Sequence, residues 1–76
     1  MKELVTEIVK ALVDKPEHVS VAEIEGDHIS VLEVGVAKSD MGLIIGKQGR
    51  NAQAIRTILN AASAKIRKRY VLEIVE

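Results

Sequence analysis

Two apolar residues run into a short glycine turn at Ile44-Ile45-Gly46-Lys47-Gln48-Gly49-Arg50. Two glycines three positions apart let the backbone bend sharply, and their missing Cβ atoms leave room for a ligand to approach closely. From Arg50 onward the sequence predicts a helix. The N-terminus of a helix carries unpaired N–H groups and about half a positive charge, which together stabilise an anion. The turn is therefore a predicted phosphate-contacting site.

The segment after the turn has the most regular helical pattern in the chain. Its apolar residues recur at steps of three and four, at Ala52, Ile55, Leu59, Ala62 and Ile66. The last turn of this helix is basic, which suits the negative end of the helix dipole. Ahead of the glycine turn, Ser39 and Asp40 are both competent N-caps. They predict a short helix over about Asp40 to Ile45.

The middle of the N-terminal half predicts a β-hairpin. His18 to Glu25 alternates between apolar and polar residues, with a change of phase near Ala22. We therefore expect at Ala22 either a bulge or a strand that is contacted on both faces. Gly26-Asp27-His28 is a predicted turn, and Ile29 to Val36 is rich in β-branched residues. The two strands are expected to pair antiparallel.

A first helix and a last strand complete the predicted architecture. Apolar residues from Leu4 to Leu12 follow helical spacing, and Pro16 ends that helix because proline disfavours helical backbone in the preceding residue. Tyr70 to Val75 alternates as a strand does. The order is helix, strand, strand, short helix, glycine turn, long helix, strand. We expect a single α+β domain over residues 1 to 76, with a three-stranded sheet and helices packed on one face.

Composition excludes several classes of protein. The chain is 47% hydrophobic and has one aromatic residue, Tyr70, so the core must be aliphatic. The absence of cysteine excludes disulfides, thiolate zinc sites and cysteine nucleophiles. No apolar run reaches the ~20 residues that span a bilayer, and the N-terminus has no uninterrupted apolar signal core. We expect no membrane span and a cytoplasmic location.

The net charge of zero hides a division between the two halves of the chain. Residues 41 to 70 contain seven Lys or Arg and no Asp or Glu, whereas residues 1 to 38 contain four Lys and eight Asp or Glu. Such asymmetry indicates contact with nucleic acid or with a membrane surface. The alternative is that the basic residues of the helix simply form a solvent-exposed face and bind no ligand.

Other glycine-rich loops do not fit the spacing. A P-loop needs four residues between its glycines and a Ser or Thr after the lysine, but three residues separate Gly42 from Gly46 and Gln48 follows Lys47. A dinucleotide fingerprint needs a glycine where Ile44 stands. No constellation of catalytic or metal-binding residues is apparent. The sequence predicts no enzymatic activity and no cofactor.

The segment Asp40 to Arg50 resembles the GXXG loop of KH domains, which bind single-stranded nucleic acid. The resemblance rests on Ile44-Ile45-Gly46-Lys47-Gln48-Gly49 between a short helix and a long one. An extra helix and strand ahead of the strand-helix-helix-strand core resemble the type II variant. The whole chain is similar to small bacterial single-domain KH proteins of the KhpA family, and it departs from many KH domains in having Ala52 where a large aliphatic residue is common.

The resemblance implies a non-catalytic protein that clamps the sugar-phosphate backbone of single-stranded RNA. Lys47 and Gln48 would reach phosphate oxygens at the tip of the turn, and Arg50 would add a further contact. Bases would turn toward an aliphatic groove. The expected RNA-binding residues are Ile44, Ile45, Gly46, Lys47, Gln48, Gly49, Arg50 and Ile55. The family also implies a role as an RNA chaperone or post-transcriptional regulator, homodimers, and heterodimers with a larger KH-containing bacterial protein.

Two alternatives stay open for these residues. Ile44, Ile45 and Ile55 fit a purely structural core as well as a groove floor, and the two glycines fit a helix-turn-helix joint without a ligand. A protein-assembly module is the other function that the sequence allows. Its contact surface would be the small-residue side of the long helix, formed by Ala54, Ile58, Ala61 and Ala62.

Overall fold

The computed structural model describes residues 1 to 75 and confirms the predicted α+β architecture. Three helices and three strands follow the predicted order. They are α1 (Lys2–Leu12), β1 (Ser20–Glu25), β2 (Ile29–Gly35), α2 (Met41–Ile45), α3 (Arg50–Ile66) and β3 (Arg69–Val75). Short 3₁₀ turns lie at Pro16–His18, Lys38–Asp40 and Lys47–Gly49.

The three strands form one mixed sheet in the order β1-β2-β3. β1 and β2 make an antiparallel hairpin in which Ser20 pairs with Gly35 and Glu25 with Ser30. β2 and β3 are parallel, from the pair Ile29 and Arg69 to the pair Gly35 and Val75. Parallel neighbours need a crossover connection, and α2, the glycine turn and α3 provide it. The turn is therefore held inside the crossover, between two helices that cover the sheet.

The core lies between the helices and one face of the sheet. Its buried residues come from every helix and every strand, and all are aliphatic: Val5, Val9, Val21, Leu32, Val34, Ile44, Ile55, Leu59 and Leu72. The other face of the sheet is open, with Ile24, Ile29, Val71 and Val75 all partly accessible. The predicted helices on one face and the aliphatic core are confirmed.

Two expectations for the first strand are wrong. β1 begins at Ser20 rather than His18, because Pro16–His18 forms a 3₁₀ turn in which the His18 N–H donates to the Lys15 carbonyl at 3.0 Å. Neither alternative expected near Ala22 is found in the described strands: the β1–β2 register is continuous, so there is no bulge, and Ala22 and Ile24 are exposed, so the strand is not covered on both faces. The apparent change of phase arises because Ile24 faces the open side of the sheet, where it is exposed.

Asp40 precedes α2, as predicted, but its carboxylate does not cap the helix. It is buried, and Oδ2 accepts a hydrogen bond from the backbone N–H of Lys15 at 3.0 Å. A buried carboxylate needs such a donor, because an unsatisfied charge in the interior is costly. This bond ties the segment after α1 to the start of α2. It fixes the position of the short helix that leads into the glycine turn.

Candidate nucleic-acid interface

Three of the four residues of the glycine turn depart from ordinary backbone geometry. Gly46 ends α2 with φ +74° and ψ +173°, a region that is essentially restricted to glycine. Gln48 and Gly49 then adopt left-handed conformations, with φ +58° and +73°. Hydrogen bonds close the turn: the Gly46 N–H donates to the Gly42 carbonyl at 2.8 Å, and the Gly49 N–H donates to the Gly46 carbonyl at 3.1 Å. Its shape is therefore defined by backbone hydrogen bonds.

The two glycines have different surroundings. A Cβ atom on Gly46 would lie 2.7 to 2.8 Å from the side chain and backbone nitrogen of Asn51, so the packing allows no side chain there. A Cβ on Gly49 would meet no atom of the described residues within 4 Å. Gly46 is thus required by the protein itself. Gly49 faces open space, where a missing side chain leaves room for a ligand.

Asn51, in the first turn of α3, joins the two helices that flank the turn. Its Nδ2 donates a hydrogen bond to the Leu43 carbonyl of α2 at 2.7 Å. That carbonyl lies near the C-terminus of α2, where helical carbonyls lack intrahelical partners. Sequence reasoning missed this residue, because an Asn near a helix N-terminus looks the same whether it faces solvent or a neighbouring helix. Asn51 holds the angle between α2 and α3 across the turn.

The side chains at the tip of the turn are free to reach a ligand. Lys47, Gln48 and Arg50 are all exposed. Gly49 is the N-cap residue of α3, and within residues 1 to 75 no side chain caps this helix end. Three exposed polar side chains therefore lie within two residues of the positive end of a 17-residue helix. This arrangement suits an anion.

An open groove lies beside α2, at the end of β2. The described residues that line it are Val36, Lys38, Met41 and Ile45, and its volume is about 630 Å³. Three of these, Val36, Lys38 and Met41, were missed from sequence. Met41 precedes Ile45 by four residues and so lies on the same side of α2, a spacing that could have identified it. Lys38 places a cation at the edge of an apolar surface.

The eight sequence-predicted residues occupy two different environments. Ile45 is 42% exposed and lines the groove, whereas Ile44 and Ile55 are 0% and 2% exposed and belong to the core. Ile44 and Ile55 therefore lie beneath the surface and do not line the groove in this structure. The structure brings together at the surface Ile45, Gly46, Lys47, Gln48, Gly49 and Arg50.

The charge around the turn is not neutralised internally. Among the described residues the one ion pair joins the N-terminal amine of Met1 to Glu3, at 4.0 Å. The seven basic side chains between residues 41 and 70 therefore have no carboxylate partner within residues 1 to 75. An unneutralised positive region attracts polyanions.

The described part of the chain contains neither a metal-binding cluster nor a membrane-spanning helix. Residues 1 to 75 contain no group of three or more His, Asp or Glu placed to hold a metal ion. None of the helices within that range has the length and apolar character required to cross a bilayer.

The structural comparison supports the fold. A structure of Era in complex with MgGDPNP and nucleotides 1506–1542 of 16S ribosomal RNA matches with a TM-score of 0.65 and 24% identity, over 96% of this chain and 28% of that one. Era from Aquifex aeolicus bound to GDP.AlF4- matches with a TM-score of 0.64. The chain thus corresponds in fold to about a quarter of Era.

Sequence comparison gives relatives of nearly equal length. The RNA-binding protein KhpA of Clostridium perfringens is 55% identical over 99% of this chain and 100% of its own length. KhpA of Aquifex aeolicus is 50% identical over 100% of this chain and 96% of its own. Residues 2 to 74 match the family model described as KhpA/KhpB, KH domain. With the GXXG turn held between α2 and α3 in the crossover of a mixed sheet, the chain belongs to the KhpA/KhpB KH-domain family.

Proposed function

We propose that residues 1 to 76 form one KH domain that binds single-stranded RNA without catalysing a reaction. The observation that carries this proposal is the glycine turn, where Gly49 leaves open space beside an uncapped helix end and three exposed polar side chains. The relatives named RNA-binding protein KhpA support the choice of RNA. Because cellular RNA is the ligand, we propose a cytoplasmic location.

The sugar-phosphate backbone lies against the turn in this proposal. Gly49 allows close approach, the Lys47 ammonium pairs with a phosphate oxygen, and Gln48 donates a hydrogen bond to another. Arg50 reaches the next phosphate along the strand. These contacts hold the strand in place but carry no sequence information. Their affinity falls as salt rises, because binding releases counterions from the RNA.

The bases face the groove beside α2. Ile45, Val36 and Met41 supply an apolar surface, and Lys38 lies at its edge. Ile44 and Ile55 act from below, by packing α2 and α3 into the positions that shape the groove. Aromatic stacking is not required, since the one aromatic residue, Tyr70, is on β3. A role as an RNA chaperone or post-transcriptional regulator is consistent with such contacts.

The double variant Lys47→Asp with Gln48→Asp tests the turn. Two carboxylates would repel phosphate, so we expect at least about tenfold weaker binding of 6-nucleotide RNAs of adenosine, cytidine or uridine. The fold is expected to persist, because Gln48 has φ +58° and Asp tolerates left-handed backbone better than most residues. Fluorescence anisotropy at two salt concentrations measures binding, and circular dichroism checks the fold.

A matched control separates the turn from overall charge. Lys2→Asp with Lys10→Gln, both at exposed positions of α1, lowers the formal charge by the same three units. This control is expected to bind the 6-nucleotide RNAs within about twofold of wild type. Equal binding by wild type and the Lys47→Asp, Gln48→Asp variant would exclude the turn as the RNA contact.

A second proposed function is assembly, as a homodimer or as a heterodimer with a larger KH-containing protein. The observation that favours it is the side of α3 formed by Ala54, Ile58 and Ala61, where all three residues are exposed and Ile58 is 44% accessible. Small residues around one exposed isoleucine allow a partner helix to approach closely. Dimers would also join two weak RNA sites into one stronger binder.

Ile58→Asp tests this surface. A carboxylate at the centre of an apolar contact is costly to bury, so we expect the variant to be monomeric at concentrations where wild type self-associates. Sedimentation velocity across a hundredfold range of concentration measures the change, and Thr57→Asp, on a neighbouring exposed position, is the control. A wild type that stays monomeric throughout would remove the homodimer from the proposal.

A further inference from the structure

A second strongly basic surface lies at the C-terminal end of α3, away from the glycine turn. Two open depressions there have volumes of about 180 and 370 Å³ and share two lining residues, Asn60 and Arg69. Arg56 and Tyr70 line the first of them, and Arg67, Lys68 and His28 line the second. We call the C-terminal basic surface the set Arg67, Lys68 and Arg69.

The fold places this surface at the opposite end of the sheet from the groove. The Arg69 N–H donates to the His28 carbonyl at 3.2 Å, so β3 starts beside the β1–β2 hairpin loop. The groove instead includes Val36, just beyond the other end of β2. Because α3 has 17 residues and rises about 1.5 Å per residue, the C-terminal basic surface is roughly 25 Å from the turn. The two regions cannot share one short ligand.

A polar side of α3 connects the two regions. Gln53, Arg56, Asn60 and Arg67 follow one another at steps of three, four and seven, which keeps them on the same side of the helix, and all four are exposed. None of the described carboxylates pairs with this side or with the C-terminal basic surface. This side of α3 is therefore polar and free of carboxylates from Arg50 to Arg69, with cations toward both ends.

Backbone geometry marks Arg67 in particular. Within residues 1 to 75 the two non-glycine residues with positive φ are Gln48 and Arg67, one at each end of α3. Arg67, with φ +54° and ψ +34°, ends the helix in the left-handed conformation that usually selects glycine. An arginine in that place retains a long cationic side chain despite an unfavourable backbone. Such an outlier is consistent with a binding role for the side chain.

The surface also contains the aromatic residue of the chain. Tyr70 lines the depression beside Arg56, and the Lys68 ammonium lies 5.9 Å from the centre of its ring. Basic residues beside an aromatic ring are typical of surfaces that bind single-stranded nucleic acid, and here the ring lies between the core and the Lys68 ammonium.

We propose that the C-terminal basic surface is a second contact for the backbone of the same RNA strand that the turn holds. This inference rests on the proposed function. A KH groove holds about four nucleotides, so a 6-nucleotide RNA seated there has about two left over, too few to cross roughly 25 Å along α3 even when extended. A 6-nucleotide RNA reaches only the turn and groove, whereas a 20-nucleotide RNA reaches both regions. The footprint is therefore longer than the four nucleotides that a KH groove contacts.

The test compares the gain in affinity between 6- and 20-nucleotide RNAs of the best-bound base. Its variant is Arg67→Asn with Lys68→Gln and Arg69→Gln, in which Asn accommodates the left-handed backbone. We expect unchanged affinity for the 6-nucleotide RNA and about tenfold weaker affinity for the 20-nucleotide RNA. The slope of log affinity against log salt for the long RNA should decrease by about 2, since each lost phosphate contact contributes about 0.7. The 20-nucleotide RNA offers several positions at which a protein can bind, but their number is the same for variant and wild type and cancels in the ratio of the two affinities.

Each outcome decides the proposal. The proposal is overturned if the gain in affinity between the 6- and 20-nucleotide RNAs is the same in the variant as in wild type. It is also overturned if the α1 control, Lys2→Asp with Lys10→Gln, which lowers the formal charge by the same three units, loses as much of that gain. If the triple variant does not fold, Arg67→Asn with Lys68→Gln removes two of the three cations and leaves β3 unchanged. Failure of wild type to bind the 6-nucleotide RNA would contradict the proposed function at the turn. If wild type binds the 6-nucleotide RNA and the variant shows the same gain in affinity with RNA length as wild type, only the second contact is contradicted.

Discussion

The two ends of α3 differ in what they present to an anionic ligand: the N-terminal end presents backbone, and the C-terminal end presents long cationic side chains. At the N-terminal end, Gly46 allows Asn51 to pack against the turn, and Gly49 leaves open space beside the backbone. At the C-terminal end, Arg67 keeps a long side chain in a conformation that glycine would adopt more easily. The first end is shaped for close approach of a ligand. The second reaches outward with flexible cations and has no comparably open backbone.

This difference separates shape from charge in RNA binding. Contacts at the turn depend on the space left by missing Cβ atoms, so a small apolar side chain there is enough to disturb them. Contacts at the C-terminal basic surface depend on charge, so salt and charge removal are the effective perturbations. The two ends also differ in backbone strain. Replacing a glycine of the turn adds strain, whereas placing glycine at Arg67 relieves it, so the two kinds of substitution should change the free energy of unfolding in opposite directions.

The largest effect on stability is expected from Gly46→Ala. A side chain there requires a backbone conformation restricted to glycine and overlaps Asn51, whose atoms lie within 2.8 Å of the modified position. Strain of about 1 to 3 kcal/mol and overpacking of a similar size predict a loss of roughly 2 to 6 kcal/mol in the free energy of unfolding. Urea denaturation followed by circular dichroism measures it.

Gly49→Ala is the matched control for that substitution. Its φ is similar, at +73°, but no described atom occupies the space around it. Only left-handed strain is expected, about 1 to 2 kcal/mol. A loss at Gly49 equal to that at Gly46 would mean that contact with Asn51 is unimportant. The double variant Gly46→Ala with Asn51→Ala refines the comparison, because it removes the Cγ contact at 2.7 Å and should recover part of the loss.

Most of the fold could be predicted from periodicity. The long helix was predicted to begin at Arg50, and α3 begins at that residue in the structure. The helix is predictable because its seventeen residues contain several repeats of the apolar pattern. The first strand was placed two residues too early, since periodicity cannot separate an extended residue from a 3₁₀ turn after Pro16. The parallel pairing of β2 and β3 depends on the crossover, which local pattern does not encode.

The candidate site was predicted less completely than the fold. α2 has five residues, too few for periodicity to show whether Ile44 or Ile45 faces inward, and the structure buries Ile44. Asn51 acts through a hydrogen bond to a carbonyl eight residues earlier, which has no sequence signature. The excess of basic residues was visible in sequence. Its distribution over two ends of α3 depends on how the helix is placed on the sheet.

The smallest expected effect on stability is at Arg67, and it has the opposite sign. Arg67→Gly relieves left-handed strain of about 1 to 2 kcal/mol but adds glycine's backbone entropy, about 0.5 to 1 kcal/mol, to the unfolded chain. The free energy of unfolding should therefore rise by roughly 0.5 to 1 kcal/mol, with weaker binding of the 20-nucleotide RNA because one cation is lost. Arg67→Asn, which also removes the charge but keeps a side chain, should weaken binding equally with a smaller gain in stability. Thermal melts and anisotropy on the two variants measure both effects, and a loss of stability in Arg67→Gly would show that the arginine side chain stabilises the helix end rather than straining it.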